Sequence, residues 1–217
     1  YYCAEVVNLE TKAVRTVKDN LKEIAAGEEE ACEKLMYALV LSGLAMQMTG
    51  NSRPASGAEH HLVHLWDMEV VNGHLDALHG EKVSGGTMLV LLEYKKIADA
   101  IRKGNCKVHT CTEEDRELLQ STFGKKGILG AIEKENTPEL LDDVSTKELS
   151  DTLPGILKII DALPAVTDMQ EMMNTAGCVS RVRDIGLPGK AIEESLRLAP
   201  YTRRRLSLLR LRKMLTY

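Results

Sequence analysis

Histidine is the residue type whose number and spacing in this sequence could do chemistry. Five of the chain's six histidines fall within residues 51–87, namely His60, His61, His64, His74 and His79. His60 and His64 are four residues apart, so on a helix they share one face. Such a pair can present two imidazoles to one metal ion or to one substrate. The same spacing also occurs on polar helix faces that bind nothing, so both interpretations stand at this point.

His79 lies fifteen residues after His64 and directly before Gly80. The turn-forming residues Asn72 and Gly73 lie between the two histidines, so we expect the chain to turn back before His79. A histidine at the start of the next helix could return to the same centre as the first pair. The other histidines of the segment show that not every imidazole here can converge.

A turn rich in glycine, serine and proline precedes the histidine pair over residues 49–57. Ser56, with Glu59 three residues later, has the capping-box spacing and predicts a helix over about 57–71. A helix N-terminus and the guanidinium of Arg53 both favour a phosphate or carboxylate. The turn is therefore either an anion site or an ordinary interhelical turn with a surface arginine.

Composition places limits on the class of protein. The chain has 217 residues, of which 44% are hydrophobic and 28% charged, which allows a real core in one or two domains. Its net charge of −4 gives no support for a general nucleic-acid binder. No apolar run approaches the length of a membrane span. The five scattered cysteines favour reduced thiols in the cytoplasm over a disulfide framework.

Cys106 and Cys111 are the only cysteines close together, and His109 lies between them. These three groups could form a second metal site. We favour a polar interhelical loop over 105–112 with incidental cysteines. Thr112 then opens the next helix ahead of an acidic first turn.

Helical periodicity runs through almost the whole chain, whereas the alternation typical of strands is nearly absent. Apolar residues at three- and four-residue spacing predict helices over 4–26 and 28–48. The second is apolar nearly all round, which is typical of a buried helix. A further helix follows His79 and continues over 88–103. Its small residues at 84–86 predict either close packing on the histidine helix or room for a substrate.

Helix starts and stops punctuate the C-terminal half. Thr137-Pro138-Glu139 is typical of a helix start with proline at the first position. Ser145 or Thr146 opens another helix, in which Pro154 predicts a kink or a boundary. Residues 165–178 form a Met-rich helix whose methionines we expect to fill the core.

A basic run closes the chain, in a helix expected over about 201–215. Its cations are Arg203, Arg204, Arg205, Arg210, Arg212 and Lys213. Such a run could bind nucleic acid or an anionic surface. We favour the solvated face of an amphipathic helix, whose C-terminal cations also suit the helix dipole. The fold class predicted from all these patterns is all-α, as a helical bundle.

Two strings carry a resemblance to a known family: GNSRPASGAEHHLVHLWDM at residues 50–68 and HGEKVSGGT at residues 79–87. They resemble the C-terminal domain of the sn-glycerol-1-phosphate dehydrogenases, within the superfamily of iron-containing alcohol dehydrogenases and dehydroquinate synthases. Further similarity lies in Tyr1-Tyr2-Cys3 and in residues 39–46 and 199–215. The resemblance therefore covers essentially the whole chain.

The resemblance implies roles for the three histidines of the superfamily motif, which is an H-x-x-x-H helix followed by an H-G pair. His60 and His79 would be metal ligands, with Zn²⁺ as the expected ion and Fe²⁺ or Ni²⁺ as alternatives. His64 would face the substrate as the catalytic residue that relays a proton.

The resemblance also implies a phosphate site in the turn before the helix. Related dehydroquinate synthases carry an arginine seven residues before the first metal histidine, on the phosphate side of the substrate. Arg53 has that spacing here. Asn51, Ser52 and His64 would contact the same substrate.

Two departures from the family pattern matter. Glycerol-1-phosphate dehydrogenases usually read H-G-x-Q-V, whereas residues 79–83 read HGEKV, the form typical of glycerol dehydrogenases. The family's third metal ligand, an aspartate, and its nucleotide-binding domain lie upstream of the Tyr1 match and are absent from this sequence. We therefore interpret residues 1–217 as one C-terminal metal- and substrate-binding helical domain of a two-domain enzyme.

The function that the resemblance implies is zinc-dependent interconversion of dihydroxyacetone phosphate and sn-glycerol 1-phosphate with NAD or NADP. This is a cytoplasmic reaction of phospholipid biosynthesis on a small phosphorylated substrate. The chain would supply the metal and substrate half, with NAD or NADP bound through the missing domain. We therefore expect no turnover from it alone, and a homo-oligomer is compatible with the resemblance. The alternatives are a glycerol dehydrogenase, a dehydroquinate synthase-like enzyme, or a non-catalytic metal-binding helical module.

Overall fold

A computed structural model describes residues 3–111 and 115–217 of the chain. Its α-helices, in chain order, are α1 (Ala4–Asp19), α2 (Leu21–Ala25), α3 (Glu29–Thr49), α4 (Ala58–Asp67), α5 (His79–Arg102), α6 (Arg116–Phe123), α7 (Leu129–Glu135), α8 (Thr146–Asp161), α9 (Val166–Thr175), α10 (Ala191–Leu198) and α11 (Leu208–Leu211). Short 3-10 helices span Gly124–Lys126, Val182–Ile185, Ala199–Thr202 and Arg212–Met214. The strands β1 (Lys107–Val108) and β2 (Leu215–Thr216) pair antiparallel. The all-α fold class is confirmed.

The chain divides into two compact units. Unit 1 contains Tyr1–Gly57 and Thr167–Ser180, and unit 2 contains Ala58–Val166 and Arg181–Tyr217. Within residues 3–111 and 115–217, none of the helices combines the length and the apolar character that crossing a membrane requires. The resemblance at Tyr1-Tyr2 and the helix start expected at Thr112 lie outside the described residues.

Unit 1 is built on the packing of α1 against α3. Ala13 on α1 meets Ala38 and Leu41 on α3, and two partly buried residues, Leu9 and Val17, pack around them. The single helix predicted over 4–26 is broken instead at residue 20. There the side-chain amide of Asn20 donates to the Thr16 carbonyl at 2.8 Å, which competes with the helical backbone pattern.

The prediction that α3 is buried all round is wrong. Its buried residues, Ala31, Ala38, Leu41 and Ala45, lie on one face. Met36, Leu39 and Met48 are instead 57–60% exposed. The physical reason is that α1 covers only one side of α3, whereas apolar residues occupy nearly every side.

Unit 2 is organised around α4, which is the most deeply buried helix of the site. Leu62, Val63, Leu65 and Trp66 are at most 1% exposed. The Trp66 indole N–H donates to the Ser195 hydroxyl at 2.9 Å, which ties α10 to α4. The helix ends at residue 67 rather than near 71, because the Asn72 side chain donates to the Trp66 carbonyl and so satisfies a helix-terminal acceptor.

A second core cluster in unit 2 joins α5 and α8 to the C-terminal residues. Its buried members are Ile97, Leu141, Leu149, Leu153, Met214 and Leu215. Cys106 and Cys111, from the loop predicted between helices, pack against this cluster. The Ser145 cap of α8 is confirmed, since its hydroxyl accepts from the Glu148 N–H at 3.3 Å.

Two expectations for α8 and α9 need correction. Of the two alternatives for Pro154, a kink or a boundary, the boundary is wrong, because α8 continues through the proline. Pro154 lies on the exposed side of the helix, where water can satisfy the carbonyl that it leaves unpaired. The methionines of α9 are half-buried rather than core residues, since none of that helix's residues is buried.

The helix expected over 201–215 is wrong, and so is the solvated basic face. Arg210 is 1% exposed, and its guanidinium donates to Glu139 at 2.8 Å and to the Asn136 side chain. Arg212 pairs at 2.6 Å with the buried Glu93. These cations fold inward to bind distant acceptors, so the chain forms short irregular segments instead of one helix.

The helix start expected at Thr137-Pro138-Glu139 is also wrong, and the same interactions explain it. Residues 137–145 form turns. The Asn136 amide donates to the Tyr201 carbonyl at 2.8 Å, and Arg204 donates to the Pro138 carbonyl at 2.9 Å. The segment is thus shaped by side chains from the C-terminal residues rather than by its own helical signal.

We expect Arg210→Met to lower the free energy of unfolding by about 3–5 kcal/mol, because it removes one member of a buried charged network and leaves its acceptors unpaired. Arg183→Ala is the matched control, since that side chain is 70% exposed and its ion pair to Asp184 spans 3.6 Å. The control should cost at most about 1 kcal/mol. Urea denaturation measures both values, and equal losses would contradict the account.

Candidate functional site

The histidine pair occupies the one stripe of α4 that is not buried. His60, His64 and Asp67 follow one another at helical spacing, and the two histidines are half-buried. His61 points the other way and is 1% exposed, with both ring nitrogens lacking a protein partner. Because the rest of α4 is packed into the core, the stripe is held rigidly at the surface of unit 2.

His79 is the first residue of α5, as the prediction of a histidine at a helix start requires. The Glu81 carboxylate accepts from the Leu78 backbone N–H at 2.7 Å and caps the helix. Lys82 pairs with Asp67 of α4 at 2.8 Å. Both contacts fix the start of α5 beside the exposed stripe.

The structure brings the three predicted histidines together. The ring centroids of His60 and His79 are 5.5 Å apart, and those of His60 and His64 are 6.5 Å apart. Zn–N bonds are about 2.0–2.1 Å long, so two imidazoles on one ion have ring centres within about 6 Å. The pair His60 and His79 therefore suits a shared metal ion better than the pair on α4 does.

Close packing of α4 on α5 produces this approach. A Cβ atom added to Gly86 would lie 3.2 Å from the backbone carbonyl oxygen of Glu59, the neighbour of His60. Only a residue without a side chain fits there unstrained. Of the two expectations for the small residues at 84–86, close helix packing is the one confirmed.

Burial and nearby charges favour the neutral forms of His60 and His64. Burial lowers the pKa of His60, and the charges of His79 and Arg205 lower it further against the opposing effect of Glu59. Burial also lowers the pKa of His64, and the charge of Arg203 adds to that effect. A metal ligand must be unprotonated, so lowered pKa values favour metal binding.

The sequence patterns missed the two arginines that contribute to these shifts. Arg203 and Arg205 lie about 140 residues after the histidine helix, and no local spacing connects them to it. The 3-10 helix Ala199–Thr202 provides the link, because the Thr202 hydroxyl donates to the His61 carbonyl at 3.2 Å.

The predicted phosphate residues Asn51, Ser52 and Arg53 lie in unit 1, in the turn after α3. All three are exposed. Gly50 follows the end of α3 with a left-handed φ of 65°, and the Asn51 side chain accepts from the Arg53 backbone N–H at 3.0 Å. The turn is thus ordered by its own residues, and the anion role of the Arg53 side chain stays a prediction.

Other candidate ligands do not join a cluster. His74 is exposed and pairs with Glu69 at 2.9 Å. In the described ranges 3–111 and 115–217, no group of three or more His, Cys, Asp or Glu side chains is arranged to hold a metal ion. The site therefore offers two facing imidazoles from this chain.

The known proteins that this chain is similar to share one name. No family model matches the chain. A protein of Halalkalibacterium halodurans named glycerol-1-phosphate dehydrogenase (NAD(P)+) is 32% identical over 96% of this chain and 44% of its own length. A Geobacillus stearothermophilus protein of the same name is 29% identical over 91% of this chain and 42% of its own length. One from Pyrococcus horikoshii is 35% identical over 47% of this chain and 30% of its own length. The chain spans less than half the length of these relatives.

We expect Gly86→Val to lower the free energy of unfolding by about 1–3 kcal/mol, because its side chain must push α4 and α5 apart. Gly85→Ala is the control on the same helix. Its Cβ would meet nothing closer than 3.7 Å, and alanine favours a helix by about 0.5–1 kcal/mol over glycine. Thermal or urea unfolding compares them, and a Gly86→Val protein as stable as the control would refute close packing at this contact.

Proposed function

Because this chain belongs to the family of the glycerol-1-phosphate dehydrogenases, we propose that it supplies the metal- and substrate-binding part of an oxidoreductase of that type. The enzyme interconverts dihydroxyacetone phosphate and sn-glycerol 1-phosphate with NAD or NADP. The observation that carries this proposal is the facing pair His60 and His79, 5.5 Å apart, on a helix start packed against a buried helix. The name shared by the relatives supports the substrate and the nicotinamide cofactor.

In this proposal His60 and His79 hold a metal ion, for which zinc is the first expectation and iron or nickel the alternatives. When bound, the ion supplies Lewis-acid polarisation of the substrate's carbonyl or hydroxyl oxygen. The donor set fits this use, since both ligands are imidazoles and the pKa of His60 is lowered by burial. The remaining ligands of the metal ion are groups other than His60 and His79.

His64 moves the proton in the proposed reaction. Its ring is 6.5 Å from that of His60, outside the distance for a shared ion yet on the same stripe of α4. Burial lowers its pKa, so the imidazole is neutral at pH 7 and can accept a proton from the alcohol. Arg53 binds the substrate phosphate through its guanidinium, and Asn51 and Ser52 of the same turn contact the same group.

Two residues of the HGEKV departure make contacts at the start of α5. Glu81 caps α5 and Lys82 pairs with Asp67. Both residues thus stabilise the start of α5, and a glycerol dehydrogenase stays the alternative that HGEKV favours. The free cysteines fit the reducing cytoplasm, where we place the enzyme and its part in phospholipid synthesis.

We expect His60→Ala and His79→Ala each to lower zinc affinity about 100-fold or more in the complete natural polypeptide that contains this sequence, because each removes one ligand. His74→Ala is the control, as an exposed histidine of the same segment that lies outside the site. Competition with a chromophoric chelator measures the affinities. Zinc affinity that falls equally in all three variants, or in none, would reject the assignment.

The proposed function also predicts which ketone the enzyme reduces. The complete polypeptide, loaded with zinc, should oxidise NADH or NADPH with dihydroxyacetone phosphate much faster than with dihydroxyacetone. Arg53→Ala should raise KM for the phosphorylated ketone by about 10- to 100-fold, the effect of losing a charged hydrogen bond. His64→Gln should lower kcat by about 100-fold or more. Equal activity on the free ketone would favour glycerol dehydrogenase, and reduction of neither ketone would leave a lyase or a non-catalytic module.

A further inference from the structure

Three consecutive arginines, Arg203 to Arg205, follow a turn that is anchored on the histidine helix. The Thr202 hydroxyl donates to the His61 carbonyl at 3.2 Å and to the Ala199 carbonyl at 2.8 Å. Thr202 is 2% exposed, so this anchor lies in the core of unit 2. The residue after the anchor is Arg203, which therefore starts next to α4.

The buried Arg210 guanidinium binds the backbone of the same segment. It donates to the Pro200 carbonyl and, at 3.2 Å, to the Arg203 carbonyl. Its other nitrogen pairs with Glu139 at 2.8 Å. The backbone next to the Arg203 side chain is thus held by hydrogen bonds from Thr202 and Arg210.

The three arginines lie in a tight backbone turn, so their side chains leave the chain in different directions. The Arg205 N–H donates to the Arg203 carbonyl at 2.9 Å, which places Arg204 at the centre of a three-residue turn. The Arg204 side chain donates to the Pro138 carbonyl at 2.9 Å. Arg203 instead follows Thr202 directly, and the hydrogen bond from Thr202 to the His61 carbonyl at 3.2 Å keeps the Arg203 backbone beside α4.

The Arg203 guanidinium is exposed and uncommitted to an acid. Its hydrogen bond in the structure runs to its neighbour's carbonyl, from Arg203 to Thr202 at 3.2 Å. Across the described residues no carboxylate pairs with it. Because no carboxylate occupies the Arg203 guanidinium, this planar group can bind a phosphate bidentately.

We propose that Arg203 binds the phosphate group of the substrate beside His64, in addition to the Arg53 contact of the proposed function. The ligand class is the phosphate monoester of a small polyol or ketone. This inference rests on the proposed function, and it adds a specificity-determining residue that the sequence motif does not contain. Arg203 is a binding residue here, and it takes no part in proton transfer.

Kinetics of the complete natural polypeptide, loaded with zinc, test the proposal through Arg203→Gln, Arg203→Lys and the matched control Arg204→Gln. Arg203→Gln should raise KM for dihydroxyacetone phosphate by about 10- to 100-fold while KM for dihydroxyacetone stays the same. Arg203→Lys should raise this KM by less than Arg203→Gln does, because lysine keeps the positive charge but cannot donate two parallel hydrogen bonds to a phosphate. Arg204→Gln should change neither KM value. Equal KM values in Arg203→Gln and Arg204→Gln would overturn the inference.

A binding measurement separates this inference from the proposed function. Inorganic phosphate is titrated into the same proteins while the imidazole resonances of His64 are followed by NMR. A phosphate affinity that falls at least tenfold in Arg203→Gln, but not in Arg204→Gln, supports the phosphate site even if neither ketone is reduced. Equal affinities in the wild type and in Arg203→Gln overturn it, even if dihydroxyacetone phosphate proves to be the substrate. Unchanged thermal unfolding of Arg203→Gln confirms that the variant is folded, as expected for an exposed side chain.

Discussion

The site depends on how closely α5 approaches α4. Gly86 lies against the Glu59 carbonyl, and an added Cβ would come within 3.2 Å of that oxygen. Lys82 and Asp67 tie the two helices together at a second point. Since His79 begins α5 and His60 follows Glu59, these two contacts determine that the imidazoles face one another. A wider helix separation would leave two unrelated surface histidines.

Burial of α4 supplies the rigidity that such a pair needs. The Trp66 indole donates a hydrogen bond to Ser195, and the Thr202 hydroxyl donates one to the backbone carbonyl of His61. A metal or substrate site must hold its groups within a fraction of an ångström, which side chains on a packed helix achieve better than side chains on a loop. The C-terminal residues thus support α4 and at the same time bring Arg203 to the edge of the site.

Sequence patterns predicted the parts of this arrangement that depend on local spacing. The i, i+4 pair His60 and His64, the helix start at His79 and the cap at Ser145 are all set by neighbours within one or two helical turns. The exposed side of α3 could not be predicted, because periodicity reports that a helix is apolar but not which neighbours cover it. The inward orientation of Arg210 and Arg212 was not predicted, for a related reason. Their acceptors, Asn136 and Glu93, are more than 70 residues away in sequence.

The central claim is that His60 and His79 share one metal ion while His64 stays free to act on the substrate. Anomalous diffraction at the zinc edge, from crystals of the complete zinc-loaded polypeptide, tests it most directly. The account predicts one zinc peak within about 2.0–2.1 Å of a ring nitrogen of both His60 and His79. A zinc ion bound by His60 and His64, or at any site without His79, would contradict it.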